Sequence, residues 1–367
     1  MTTEPTATTH EVVASEPATA AAPRSYGRAA PGGSTSTARW PRLSVLVRFQ
    51  SVLGLILVVL GGIAFSPRNN GAILFLTADN LANIVRSVSE TGIIAVGMTF
   101  VIIAGGIDLA VGAVLGLAGI LAARLMVDAG WGTVPTIAVV LLAGLTFGLV
   151  QGAVTTTMRI QAFVVTLAGL QLARGLARIA SGDKFINISY GNGPGLAPPS
   201  FALFGDRVFG QVLPVSALIF LAVGAAASVV LNTTRFGRHV FAVGGNERAA
   251  RLSGINVKGI KIATFAICGL TAALSGILDA GQLNFANPNS GAGYELAAIA
   301  AVVIGGTSLF GGEGTVVGTL AGALLLGSLS NILQLNNVNA NLQLIVTATI
   351  IVVAAALQNA ASRRRAP

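Results

Sequence analysis

The chain has 367 residues, of which 53% are hydrophobic and 10% charged, with 22 Lys and Arg against 13 Asp and Glu. A mean hydropathy of +0.79 excludes a soluble domain, which needs far more charge to cover its surface. The net charge of +9 does not read as nucleic-acid binding, because the charges border apolar runs and no soluble domain carries them.

Residues 1–38 are rich in Ala, Thr, Pro and Ser and lack periodicity, so a disordered arm is expected over 1–42. It does not resemble a signal peptide, because the first apolar run begins near Leu43 and continues to spanning length. Ten apolar spans follow, at about 44–66, 91–105, 108–126, 134–154, 161–180, 211–231, 260–282, 295–306, 314–332 and 341–358. The expected fold is an all-α polytopic membrane protein of about ten transmembrane helices, some short or broken at glycine-rich segments. The membrane domain covers 43–360, and 361–367 form a basic tail.

Fifteen of the 22 Lys and Arg lie in the N-terminal arm (Arg24, Arg28, Arg39, Arg42, Arg48), at Arg159, in the loop 232–261 and in the tail (Arg363, Arg364, Arg365). With both termini on the cytoplasmic side of the plasma (inner) membrane, ten spans put every one of these on that side, as the positive-inside rule requires. The segments 67–80, 181–210 and 283–294 then face out. They are rich in Asn, Gly and Pro (Asn69, Asn70, Asn187, Asn192, Asn284, Asn287), which suits either solvated loops or a seat for a soluble binding protein.

Two spans look short, 91–105 and 295–306. Leu81, Ile84, Val85 and Val88 recur at helical spacing and extend the first of them backwards. Both short spans end in glycine-rich breaks, AGGIDLAVG at 104–112 and IGGTSLFGGEG at 304–314, and each break leads into a Gly/Ala-rich span. The repetition suggests a duplicated element. Backbone freed from helical bonding at membrane depth must face protein or a watery cavity. Gly105, Gly106, Asp108, Gly305, Gly306 and Thr307 are therefore the candidates for a translocation path or gate, and Arg174 is counted with them. Asp108 either caps the span that follows or serves that gate. A charge at mid-membrane costs about 2.5–3.5 kcal/mol on insertion scales. Arg174, inside its span with Arg178 one turn on, therefore needs a partner, for which Asp108 or a backbone carbonyl is the candidate. Asp279 and Glu295 fall near outer span ends, within reach of headgroups. The remaining glycines read as close helix packing.

The loop 232–260, TTRFGRHVFAVGGNERAARLSGINVKGIK from Thr233 onward, is too long and too patterned for a plain connector. Asn246 can cap a short helix, Glu247 suits its positive end and Gly254 its stop. Ala249 and Ala250 offer a small flat patch, and Arg248 and Arg251 can pair with acidic groups. The segment therefore suits docking of another protein, or an amphipathic hairpin held at anionic lipid headgroups.

Glu247-Arg248-Ala249-Ala250, closed by Gly254, resembles the Glu-Ala-Ala…Gly loop of ABC importer permeases. The loop as a whole is similar to the ribose/xylose/galactoside class of sugar permeases. So are NGAILF…NLANIVRSVSETGIIAVGMTFVIIAGGIDLAVGAV and GYELAAIAAVVIGGTSLFGGEGTVVGTLAGALLLG, in the same order along 43–360. The resemblance implies a coupling helix at 246–254 seated on a separate ATPase subunit, a second permease copy, identical or not, and an extracytoplasmic sugar-binding protein. Two departures stand out: Arg248 where the importer pattern usually has the first Ala, and Ala297 where the sugar-permease pattern usually has Asp.

The three lysines, Lys184, Lys258 and Lys261, stand outside any Walker phosphate loop. No G-x-S-x-G or H-E-x-x-H is present either. The chain is thus expected to be a transporter subunit and not an enzyme. It binds no cofactor or metal of its own, and ATP is used by the partner. The one cysteine, Cys268, excludes a disulfide framework. The competing class is an ion-coupled secondary transporter of a small polar solute, for which Asp108 is the one carboxylate in view.

Overall fold

A computed structural model describes residues 50–363 apart from 209 and 211. The expected N-terminal arm, the start of the first span and the last residues of the basic tail lie outside the described residues. The helices are α1 (Gln50–Phe65), α2 (Ala78–Ile103), α3 (Val111–Ala123), α4 (Thr133–Thr157), α5 (Ala162–Ser181), α6 (Val215–Thr233), α7 (Arg235–Gly245), α8 (Glu247–Leu252), α9 (Val257–Leu283), α10 (Tyr294–Ile304), α11 (Val316–Leu335) and α12 (Ala340–Arg363). A π-turn, Arg124–Asp128, extends α3, and Arg124 and Asp128 pair within it.

Each of the ten expected spans contains an apolar helix. Among the described residues, seven are long and apolar enough to cross a membrane: α3 with its π-turn, α2, α4, α5, α6, α9 and α11. The expected span 91–105 proves to be the second half of α2. That helix has 26 residues and is about 39 Å long at 1.5 Å per residue, longer than a hydrocarbon core of about 30 Å.

α2 is the axis of the bundle. Its second half, from Gly92 to Ile103, is buried, and α9, α11, α6 and α10 pack around it. α4 and α5 sit at the edge, with Leu142, Val150, Leu172 and Ile179 turned outward. That is the arrangement of a helix facing lipid, where exposed apolar side chains carry no penalty.

The tightest pair is α4 with α9. Gly144, Gly148 and Gly152 recur every four residues and form one face of α4. A β-carbon at Gly144 would collide with Ala273, one at Gly148 with the carbonyl of Phe265, and one at Gly152 with the Cα of Ile262, 2.7 Å away. Without side chains in the way the two backbones come into contact, which is how helices associate where no hydrophobic force separates them from lipid.

The loops at one end of the bundle (hereafter the far end) form three two-stranded antiparallel ribbons: Arg68–Asn69 with Ala72–Ile73, Ile186–Asn187 with Phe285–Ala286, and Arg207–Val208 with Leu213–Pro214. The first is closed by Asn70-Gly71, both at positive φ (49° and 82°), the conformation a two-residue hairpin turn needs.

The segment 284–293 does not stay in an outer loop, as the sequence suggested. After its ribbon it runs inward along the glycine face of α3. Ala286 lies over Gly119, Pro288 and Ser290 over Gly116, and Gly291 over Gly112. α10 begins only after this descent, which explains its 11 residues. It is the second half of a crossing whose first half is extended chain. Such chain is tolerated at depth only when protein supplies its hydrogen bonds, and here Arg174 does so.

Candidate functional site

The loop between α6 and α9 folds as two helices, where sequence reasoning named one. Thr234 caps α7, its Oγ1 accepting from Gly237 N at 3.2 Å. α7 is amphipathic, with Gly237, Val240 and Val243 buried and Phe236 stacked on Phe100 of α2, centroids 6.2 Å apart. One residue on, Asn246 caps α8, its Oδ1 accepting from Ala249 N at 2.9 Å. Gly254, at φ +81°, closes α8. Its N–H donates to Arg251 O, and the N–H of Ile255 donates to Ala250 O, both at 3.1 Å, the Schellman pattern of a glycine-ended helix.

α8 presents Arg248, Ala249, Arg251 and Leu252 outward, Leu252 being 84% exposed. Ala250 corrects the expectation of a paired alanine patch. It is buried against Val243 and Val257, because a six-residue helix resting on its neighbours keeps one face for itself. Ala249 alone is the small outward residue of the two. Glu247 accepts from Lys261 Nζ at 2.6 Å and from Arg251 Nη2 at 2.8 Å. The hydrogen bond from Lys261 is the main cause holding its carboxyl below the ordinary range, with Arg251 adding to it. Arg248 makes no ion pair among the described residues.

The two glycine-rich breaks share one construction. At the end of α2, Gly105 (φ +78°) donates to Ile102 O and Gly106 to Val101 O, both at 2.9 Å. At the end of α10, Gly306 (φ +89°) donates to Val303 O at 2.8 Å and Thr307 to Val302 O at 3.1 Å. These are the same bonds in the same order, the glycine ending that Gly254 also gives to α8.

The breaks also meet. Gly312 N donates to Ile103 O at 2.9 Å, and a β-carbon on Gly311 would stand 3.3 Å from the Cα of Gly105. Gly244, near the end of α7, closes the junction: a β-carbon there would overlap the Ile103 carbonyl and stand 2.6 Å from Gly312 N. Three backbones thus touch at Gly244, Ile103 and Gly312, just before the Asn246 cap of α8. Gly305 lies against Gly318 of α11, and Thr307 against Gly314. Gly105, Gly106, Gly305, Gly306 and Thr307 are therefore gathered at the end of the bundle that carries the docking loop. Beside them opens a cleft of about 690 Å³, lined by Gly105–Ile107, the turn at Arg159, and Glu247, Arg251, Lys258 and Lys261.

Asp108 is 2% exposed. Its Oδ1 accepts from Ala110 N at 2.9 Å, just before α3 starts, and it contacts the buried thiol of Cys268. This is an Asx turn that leads into α3 and not a cap of the helix, whose N-cap, Ala110, receives no side-chain bond.

Arg174 is not part of this junction and does not reach Asp108. Its Nη1 donates to Pro288 O at 2.5 Å and Ser290 O at 2.8 Å, and Arg178 donates to Asn289 Oδ1 at 2.9 Å. The backbone-carbonyl alternative therefore holds, and Arg174 clamps the inward-running segment.

Sequence reasoning missed one cluster altogether. Glu90, 8% exposed, and Asp279, 5% exposed, lie side by side, with Tyr294 Oη at 3.4 Å from Glu90 Oε2 and Ser275 Oγ donating to the Glu90 carbonyl at 3.0 Å. Asp279 therefore does not reach headgroups, and Asp108 is not the one buried carboxylate. The signal available was the helical spacing before residue 91, which places Glu90 within α2. Glu295 is half-buried and accepts from Gly293 N at 3.2 Å.

A bundle of apolar helices that carries two broken elements and an external helical loop is the architecture of a membrane permease. The family model described as "branched-chain amino acid transport system / permease component" matches residues 80–355. The chain belongs to this permease family. It is 41% identical over 317 residues to the ribose import permease protein RbsC of Escherichia coli K12, covering 86% of this chain and 94% of that one. It is 44% identical over 287 residues to RbsC of Haemophilus influenzae (78% and 86%), and 34% identical over 374 residues to the xylose transport system permease protein XylH of E. coli K12 (88% and 93%). No solved structure matches the chain at a significant level.

Proposed function

We propose that this chain is the membrane-spanning permease subunit of an ATP-driven ABC importer for a monosaccharide of the ribose or xylose kind. Two permease subunits form the path, ATPase subunits sit at the docking-loop end, and a sugar-binding protein delivers solute at the far end. The docking-loop end and both termini are cytoplasmic in this reading, which the clustering of Arg and Lys supports.

The observation that carries the reading is the glycine junction behind α8. A helix pushed by an ATPase must pass its displacement to the gate, and at Gly244, Ile103 and Gly312 it can do so backbone to backbone, with no side chain to absorb the movement. ATP binding draws the ATPase domains together, and α8 moves with them. α7 carries the shift to the ends of α2 and α10, and the breaks re-aim α3 and α11. The coupling requires that α8 bind its partner differently in the two states.

The Glu90–Asp279 pair supplies the buried carboxylates an ion-coupled carrier would use, so the test must separate the two classes. The chain is purified with its co-purifying proteins and reconstituted in liposomes. A stoichiometric Walker-type ATPase and ATP-dependent uptake are expected. Ala249→Arg is expected to lose the ATPase, and Gly254→Pro to abolish uptake while the protein stays in the membrane. A chain that purifies alone and transports under an ion gradient without ATP overturns the proposal.

A further inference from the structure

A pocket of about 540 Å³ opens between α2, α10, α11 and α12, a volume ordinary for a small-molecule site. It runs from Asn83 and Gln334 near the far ends of α2 and α11 down to Thr91, Ala301 and Ala323. From Gln334 to Ala323 that is about 16 Å along α11 at 1.5 Å per residue.

Its lining mixes polar side chains, Ser87, Thr91, Tyr294, Ser330, Gln334 and Thr347, with a larger apolar surface from residues such as Val88 and Leu326, and holds no charged residue among the described residues. Thr91, Ser330, Gln334 and Thr347 make no side-chain hydrogen bond among the described residues, although helices in lipid ordinarily satisfy such groups. Ala297 and Ala301, one turn apart on α10, form an uncharged wall, and the Tyr294 hydroxyl joins that wall to Glu90 behind it.

An apolar solute would cover the apolar walls but leave these hydroxyls and amides without partners, at the cost of each polar group so buried. A charged solute would shed its water and find no countercharge. A neutral solute with several hydroxyls satisfies both conditions. We infer that this pocket is a solute-binding station on the far-end half of the translocation path, selective for neutral polyhydroxylated molecules, with Ala297 keeping it free of charge. The assignment rests on the importer reading above and names the solute chemistry for it.

The test uses the full chain with its ATPase and binding protein in intact cells. Cys268 is fully buried, so an introduced thiol is the reactive one. Thr91→Cys is expected to react with a small water-soluble methanethiosulfonate, as does Asn192→Cys in an exposed loop. Ala297→Phe is expected to lower uptake of radiolabelled ribose and xylose about tenfold, equivalent to about 1.4 kcal/mol, with protein abundance unchanged. An unreactive Thr91→Cys beside a reactive Asn192→Cys overturns the station, as does normal uptake by Ala297→Phe. Labelling at Thr91 with no uptake of either sugar by the wild-type complex removes the monosaccharide assignment and keeps the watery station.

Discussion

The two ends of the bundle are held together by different means. At the docking-loop end, α7 and the two breaks meet through glycines, with Gly312 N on Ile103 O and Gly244 against both. Toward the far end, the segment 284–293 is held by long side chains, Arg174 on two carbonyls and Arg178 on Asn289. A glycine joint is stiff in the sense that nothing in it can rotate out of the way, so a push on one backbone is felt by the next. An arginine clamp adapts, because its side chain has rotamers and its donors can change partner. The first suits transmission and the second suits holding a segment that must stay hydrogen-bonded while its surroundings shift.

The largest effect is expected at Gly244. Gly244→Val drives a side chain into the Ile103 carbonyl, beyond the roughly 1–3 kcal/mol of ordinary overpacking, and should abolish uptake. Its neighbour Gly245 meets nothing within 4 Å, so Gly245→Ala should stay within about 0.5 kcal/mol of wild type. Uptake and membrane abundance measured for both decide it, and equal behaviour would break the contrast. Next comes Arg174→Ala, which leaves the Pro288 and Ser290 carbonyls unpaired at about 1–3 kcal/mol each. A lowered unfolding temperature in detergent is expected, with Arg174→Lys in between because an ammonium lacks the planar fork.

Asp108→Ala loses the bond to Ala110 N and should cost about 1–3 kcal/mol, the scale of one buried donor left unpaired. Asp108→Asn keeps an acceptor there and should be near neutral in stability. Lost uptake by a stable Asp108→Asn would instead assign the carboxylate to the gate. The smallest effect concerns Glu247. Its carboxyl is held below its ordinary 4.5, so the pairs with Lys261 and Arg251 are present above that value and fade as pH falls beneath it. Hydrogen exchange of the α8 amides should be unaffected by that titration from neutral pH to 4.5 and quicken only in stronger acid, and Lys261→Met should remove most of the difference.

Much of this was legible because it is local. Apolar runs located the ten helices, Asn246 and Gly254 marked the ends of α8, and paired glycines marked both breaks. What escaped depends on partners distant in sequence. The descent of 284–293 needs Arg174, 114 residues from Pro288, and the glycine face of α3. Nothing within the loop distinguishes it from a solvated one. Glu90 escaped because, although the spacing placed it on a helix, the neighbours that bury it, Asp279 and Tyr294, lie on α9 and α10. Ala250 escaped because which face of a short helix turns inward is set by Val243 and Val257, not by the helix.

The glycine ladder joining α4 to α9 has a consequence for measuring this protein at work. Helices whose backbones touch at Gly144, Gly148 and Gly152 can neither slide nor rotate against each other without collision. They form a fixed ruler inside the molecule. Distances from that pair to α8, α10 and α11 report the working stroke, while distances within it report only the noise of the method.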